Sequence, residues 1–121
     1  MRILYIEDNP NDAKLVQRYV ETTPHDLVIA PTLEDTYEYL SDSEAFGFVM
    51  VDILINNQRA GYELPQLLRE QGYTGQVIAV TALNSPQDKV ACAEAGFAAI
   101  LTKPFLMTAL ADILTQFTSP I

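Results

Sequence analysis

The stretch "FVMVD", residues 48–52, decides how the chain folds. Phe48, Val49, Met50 and Val51 carry no polar residue at alternate positions, so a strand built from them is apolar on both faces. Such a strand belongs inside a parallel sheet, where helices cover both faces. The run then stops abruptly at a carboxylate, Asp52.

Working outward, similar short runs lie at 3–6, 27–30, 77–80 and 97–101, each bounded by polar or turn residues. With 48–51 they predict five strands. Helical spacing of apolar residues follows each one: Ala13, Val16 and Val20 with Leu15 and Tyr19; Leu33, Tyr37 and Leu40; Leu64, Leu67 and Leu68; Val90, Ala91 and Ala95; Phe105, Leu106, Leu110, Ile113 and Leu114. Asn9-Pro10 and Ser85-Pro86 read as helix starts, and Pro65 fits only a first turn, which places that helix start near 61–63. Strand and helix alternating in this way predict an α/β fold. With right-handed crossovers it is a flavodoxin-like (βα)5 doubly wound parallel sheet of five strands in the order 2-1-3-4-5. Residues 1–121 read as a single domain, with no linker or low-complexity tract to divide them.

Charge and cysteine usage exclude several classes of function. Seven basic against 16 acidic residues leave a formal charge of −9, which repels nucleic acid and anionic membrane alike. Cys92 is the one cysteine, so no intrachain disulfide is possible and a reducing compartment is the simpler home. No apolar run approaches the roughly 20 residues that span a bilayer, and Met1-Arg2-Ile3 does not open a signal peptide. The expectation is a cytoplasmic protein without direct nucleic-acid or membrane contact.

In open α/β sheets, ligands bind beyond the carboxyl ends of the strands, near the switch in strand order. The predicted strands end at Glu7 and Asp8, at Asp52, at Thr81, and at Thr102 and Lys103. Each residue has an ordinary alternative. Asp8 or Asn9 can cap a helix, Asp52 can close a strand, Thr81 can cap the next helix, and Lys103 can lie in solvent. Their coincidence at four strand ends favours a site that accepts a phosphoryl group. A carboxylate nucleophile needs the crowded negative charge neutralised, a task suited to a divalent cation on hard oxygen ligands, an ammonium and a hydroxyl.

The motifs "YIEDNP" (5–10), "VMVD" (49–52), "AVTAL" (79–83) and "LTKPF" (101–105) resemble, in order and placement, those of response regulator receiver domains in two-component signalling, related to the chemotaxis regulator. The resemblance covers essentially the whole chain. It implies that Asp52 is the phosphoacceptor and that Mg²⁺ is bound by Glu7, Asp8, Asp52 and the backbone carbonyl of Leu54. It further implies that Thr81 is the switch hydroxyl, that Lys103 contacts the phosphoryl group, and that the Lys103-Pro104 peptide is cis. The implied donor is a histidine kinase or histidine phosphotransfer protein, since His25, the lone histidine, reads as an exposed turn residue. The implied output is a downstream protein docking on the fourth helix, fifth strand and fifth helix. The domain would then be a signalling switch, catalysing no more than its own phosphorylation and dephosphorylation.

The chain also departs from the family pattern. Ile100 stands where receivers commonly carry an aromatic switch residue, Asn56 replaces a frequent proline, and Gly61 falls about one residue late. Arg59 is expected in solvent. Leu54 and Leu83 occupy the two positions that tune hydrolysis, and apolar residues there predict a long-lived phosphoryl group. Cys92, Phe97 and Phe105 read as core. Two other functions remain open: a degenerate receiver serving as an interaction scaffold, and an aspartyl-nucleophile phosphatase, which would often carry a second aspartate where this chain has Leu54.

Overall fold

The run at 48–52 becomes the central strand of a five-stranded parallel sheet, with all five of its residues buried. The computed structural model describes residues 1–41, 46–54 and 59–118. Its strands are β1 (Arg2–Ile6), β2 (Asp26–Ala30), β3 (Phe48–Asp52), β4 (Gln76–Thr81) and β5 (Ala99–Thr102), and its helices are α1 (Pro10–Val20), α2 (Leu33–Ser41), α3 (Leu64–Glu70), α4 (Pro86–Ala95) and α5 (Met107–Thr118). A 3-10 turn over Arg59–Glu63 leads into α3. The strand order is β2-β1-β3-β4-β5, the flavodoxin-like order expected.

Two apolar layers follow from the alternation along the strands. Leu4, Ile6, Val49, Val51, Val77 and Ala79 face Leu64 and Leu68 of α3 and Cys92 of α4. Ile3, Tyr5, Phe48, Met50, Ile78 and Val80 face Val16 and Val20 of α1 and Leu110 and Leu114 of α5. Each large apolar side chain buried this way stabilises the fold by about 1.5–3 kcal/mol before the entropy of ordering is counted.

Local chemistry sets the helix ends. Asn9 caps α1 through its Oδ1, which accepts the Asn11 N–H (2.9 Å) and the Asp12 N–H (3.4 Å), with Pro10 opening the helix. Ser85 and Asp88 form a reciprocal capping box on α4, and Gly96 ends it at φ +103°, a left-handed conformation that favours glycine. Pro65 lies in the first turn of α3, which begins just beyond the span expected, at Leu64.

Four details differ from the sequence reading. The fifth strand begins at Ala99, two residues later than the apolar run, because the Phe97 N–H turns back to the Cys92 carbonyl and closes the helix. Phe105 and Leu106 precede α5, and Leu106 is 75% exposed, so it belongs to no buried face. Leu15 and Val90 also point outward despite their helical spacing. His25 is half-buried, with the N-terminal ammonium 3.4 Å from its Nδ1. Asn56 and the side chain of Arg59 lie outside the described residues. Among those described, no helix is long and apolar enough to cross a membrane.

Candidate functional site

The sheet reverses its winding at β1, between β2 and β3, and the predicted acids collect at that end. Glu7 directly follows β1 and is buried. Asp52 is the last residue of β3 and Thr81 the last of β4, both buried. Lys103 follows β5, and its N–H donates to the Thr81 carbonyl (2.7 Å), which fixes the base of the lysine against the neighbouring strand. The Lys103-Pro104 peptide is cis.

The ammonium of Lys103 has three protons to give, and three carboxylates receive them: Glu7 Oε2 at 2.7 Å, Asp12 Oδ2 at 2.9 Å and Asp52 Oδ2 at 3.1 Å. The second oxygen of Asp52 accepts the Leu54 N–H (3.0 Å), so the strand-end turn orients the whole carboxylate. Glu7 Oε2 also accepts the Tyr5 hydroxyl (2.8 Å), and Glu7 Oε1 accepts the Asn9 N–H (3.1 Å). Thr81 Oγ1 accepts the Leu83 N–H (2.9 Å).

Charge within the cluster is unbalanced. Burial pushes the Asp52 carboxyl up to about 7, and the adjacent Glu7 carboxylate adds to the rise while Lys103 opposes it. Burial alone lowers the Lys103 pKa, but its carboxylate partners outweigh that effect and hold it above the ordinary lysine value. Burial and Glu7 likewise keep the Tyr5 hydroxyl protonated well above the usual tyrosine range. One oxygen each from Glu7, Asp8 and Asp52 lie within 4.8 Å of one another. Hard oxygen donors at this spacing, carrying more negative charge than one lysine neutralises, suit a divalent cation.

Above the acids opens a cleft of about 530 Å³, lined by Asp8, Asp12, Asp52, Leu54, Ala82 and Lys103 among others. Gly61 packs against the backbone that carries Asp52. Its N–H donates to the Ile53 carbonyl (3.0 Å), and a Cβ there would lie 2.5 Å from Ile53 Cα and 2.6 Å from the Asp52 carbonyl oxygen. Ile100 is half-buried and packs into the layer beneath α3 and α4, offering no hydroxyl.

The structure thus brings Glu7, Asp8, Asp52 and Lys103 together and places Thr81 at the end of the neighbouring strand. Two contributors were missed from sequence. Asp12 is a first-turn residue of α1, and that turn starts at the same rim, just beyond Asp8 and the Asn9 cap. Tyr5 was read as strand core, yet it precedes Glu7 by two residues, which puts both side chains on one face of the sheet.

Residues 3–115 match the response regulator receiver domain family. The chain is 30% identical over 117 residues to the sensor histidine kinase RcsC of Salmonella typhi, a match covering 97% of this chain and 12% of that protein. It is 31% identical over 111 residues to the response regulator RppA of Synechocystis, covering 91% of this chain and 47% of that one. Among solved structures, the response regulator DrrB of Thermotoga maritima superposes with a TM-score of 0.80 at 27% identity, covering 96% of this chain and 51% of DrrB. The chain therefore spans less than half the length of the two curated relatives.

Proposed function

The chain belongs to the response regulator receiver domain family, and from that membership we propose that residues 1–121 act as one phosphoacceptor unit in a two-component phosphorelay. The observation that carries this reading is the Lys103 ammonium, held at once by Glu7 and Asp52 at the ends of adjacent strands. A nucleophilic carboxylate, paired acids and a fixed cation then meet at one cleft.

The reaction is transfer from a partner phosphohistidine. An Asp52 oxygen attacks phosphorus, the P–O bond forms as the P–N bond breaks, and the imidazole leaves with a proton. Glu7, Asp8 and Asp52, with the Leu54 carbonyl, would hold Mg²⁺, which supplies positive charge against the phosphoryl oxygens when bound. Lys103 exchanges its contact with Asp52 for one with a phosphoryl oxygen. The Thr81 hydroxyl, which accepts the Leu83 N–H, donates its own proton to another. Leu54 and Leu83, both half-buried, present no group that could orient an attacking water.

The donor is a histidine kinase or histidine phosphotransfer protein, and the output is a downstream protein on the α4–β5–α5 face. With Ile100 in place of an aromatic, that face responds without the usual threonine–aromatic coupling. The domain is a switch, and an aspartyl phosphatase is disfavoured because Leu54 stands where its general acid would be needed. The acidic surface and the single buried thiol suit the cytoplasm. The test is incubation with phosphoramidate and Mg²⁺, quenched with borohydride, which reduces an aspartyl phosphate to homoserine. Peptide mapping should find homoserine at position 52; reduction at another acid, or at none, overturns the assignment.

A further inference from the structure

We infer that Tyr5 is a positioning residue for the cation site, its hydroxyl holding the Glu7 carboxylate in the orientation that receives a divalent ion. This rests on the reading of Glu7 as a cation ligand given above. Tyr5 lies fully buried in the layer between the sheet and α1 and α5. Among the buried side chains of that layer in the described residues, it alone carries a hydroxyl. Phenylalanine would fill the same space without a polar atom, so packing does not account for the oxygen. What accounts for it is the 2.8 Å bond to Glu7 Oε2, made possible because residues two apart on β1 project from the same face. The hydroxyl reaches from the apolar layer up to the floor of the site.

The lone-pair count shows what this bond does. A carboxylate oxygen accepts about two hydrogen bonds. Glu7 Oε2 has two donors, Tyr5 and Lys103, whereas Glu7 Oε1 has the Asn9 N–H at 3.1 Å. Oε1 therefore keeps the acceptor capacity that a cation, or a water on a cation, can use. Without the Tyr5 hydroxyl, the carboxylate loses one of its three donors, and Oε2 is left to the Lys103 ammonium, which Asp12 and Asp52 also engage. Groups that hold a ligand in place characteristically change metal affinity by about ten- to a hundredfold when removed.

The test measures Mg²⁺ binding directly by isothermal titration calorimetry on the intact chain, wild type and Tyr5→Phe, at pH 8. The expected result is a Kd about tenfold weaker in the variant. A merely structural role would lower the melting temperature and leave the Kd alone. In a Glu7→Asp background, whose shorter side chain withdraws from Tyr5, the Tyr5→Phe change should leave the Kd within twofold. If the wild type binds Mg²⁺ and Tyr5→Phe binds equally well, or if the effect persists with Glu7→Asp, this inference is overturned while the phosphoacceptor reading stands. If the wild type itself fails to bind Mg²⁺, it is the reading of the site that fails. A readout needing no variant is the Tyr5 Cζ resonance, which should move during Mg²⁺ titration with the same Kd as the Glu7 Cδ resonance; a Tyr5 signal that stays still contradicts the inference.

Discussion

Replacing Asp52 with asparagine should make the protein more stable at pH 8 than the wild type, and much less so at pH 5. Asp52 titrates near 7 in the folded chain against an ordinary value of 3.8, because burial and the Glu7 carboxylate oppose its charge more than Lys103 favours it. Between those values the folded state keeps a proton that the unfolded state has lost, so stability falls as pH rises from about 4 to about 7 and is level above. At about 1.4 kcal/mol per pH unit, the ionised Asp52 costs the fold roughly 4 kcal/mol at pH 8, of which roughly 3 kcal/mol accrues above pH 5. Asparagine keeps the shape and the acceptor for the Leu54 N–H but carries no charge. The attraction of Lys103 for the ionised carboxylate is already contained in that value of about 7, so it needs no separate allowance when the two pH values are compared. The stabilisation by Asp52→Asn should therefore be greater at pH 8 than at pH 5 by about 2–3 kcal/mol, on the order of 10 °C in melting temperature. Thermal and urea unfolding followed by circular dichroism in chelator would measure it. An equal effect at the two pH values would refute the claim that this carboxylate is held in its charged form against resistance.

Other outcomes follow from the same geometry. Mg²⁺ affinity, read by calorimetry, should rise about tenfold per pH unit up to about pH 7 and then level, since binding displaces the Asp52 proton; a flat profile would mean that another group controls the site. Leu54→Asn combined with Leu83→Glu should shorten the phosphoryl lifetime at least severalfold in a phosphate-release assay, and no change would show that the two leucines do not shield it. Ser85→Ala should destabilise the fold by about 1 kcal/mol through loss of the α4 capping box, with no effect on Mg²⁺ affinity.

Residues whose role is local could be read from the sequence. Asn9 and Pro10 announce α1, Ser85 and Pro86 announce α4, and Pro65 marks the start of α3, because each acts on backbone groups within a turn of itself. The parallel sheet was legible because residues 48–51 are apolar on both faces. The start of β5 was misplaced because an apolar run does not reveal that Gly96 sends the next amide back to the helix. Leu15, Val90 and Leu106 fit a helical period and still point outward, since period gives a face but not whether another element covers it. At the site, Glu7, Asp8, Asp52, Thr81 and Lys103 could be found from their place at strand ends. That Lys103 also engages Asp12, 91 residues away in sequence, and that Tyr5 supports Glu7, needed the side-chain geometry.

The central claim, that Asp52 accepts a phosphoryl group with the help of a divalent cation, is tested most directly by intact-mass analysis. The native chain and Asp52→Ala are incubated with a small phosphodonor, with Mg²⁺ or with chelator. The account predicts a single phosphoryl adduct on the native chain in Mg²⁺ alone and none on Asp52→Ala. An adduct of equal yield on the variant, or a native chain that stays unmodified in Mg²⁺, would contradict it.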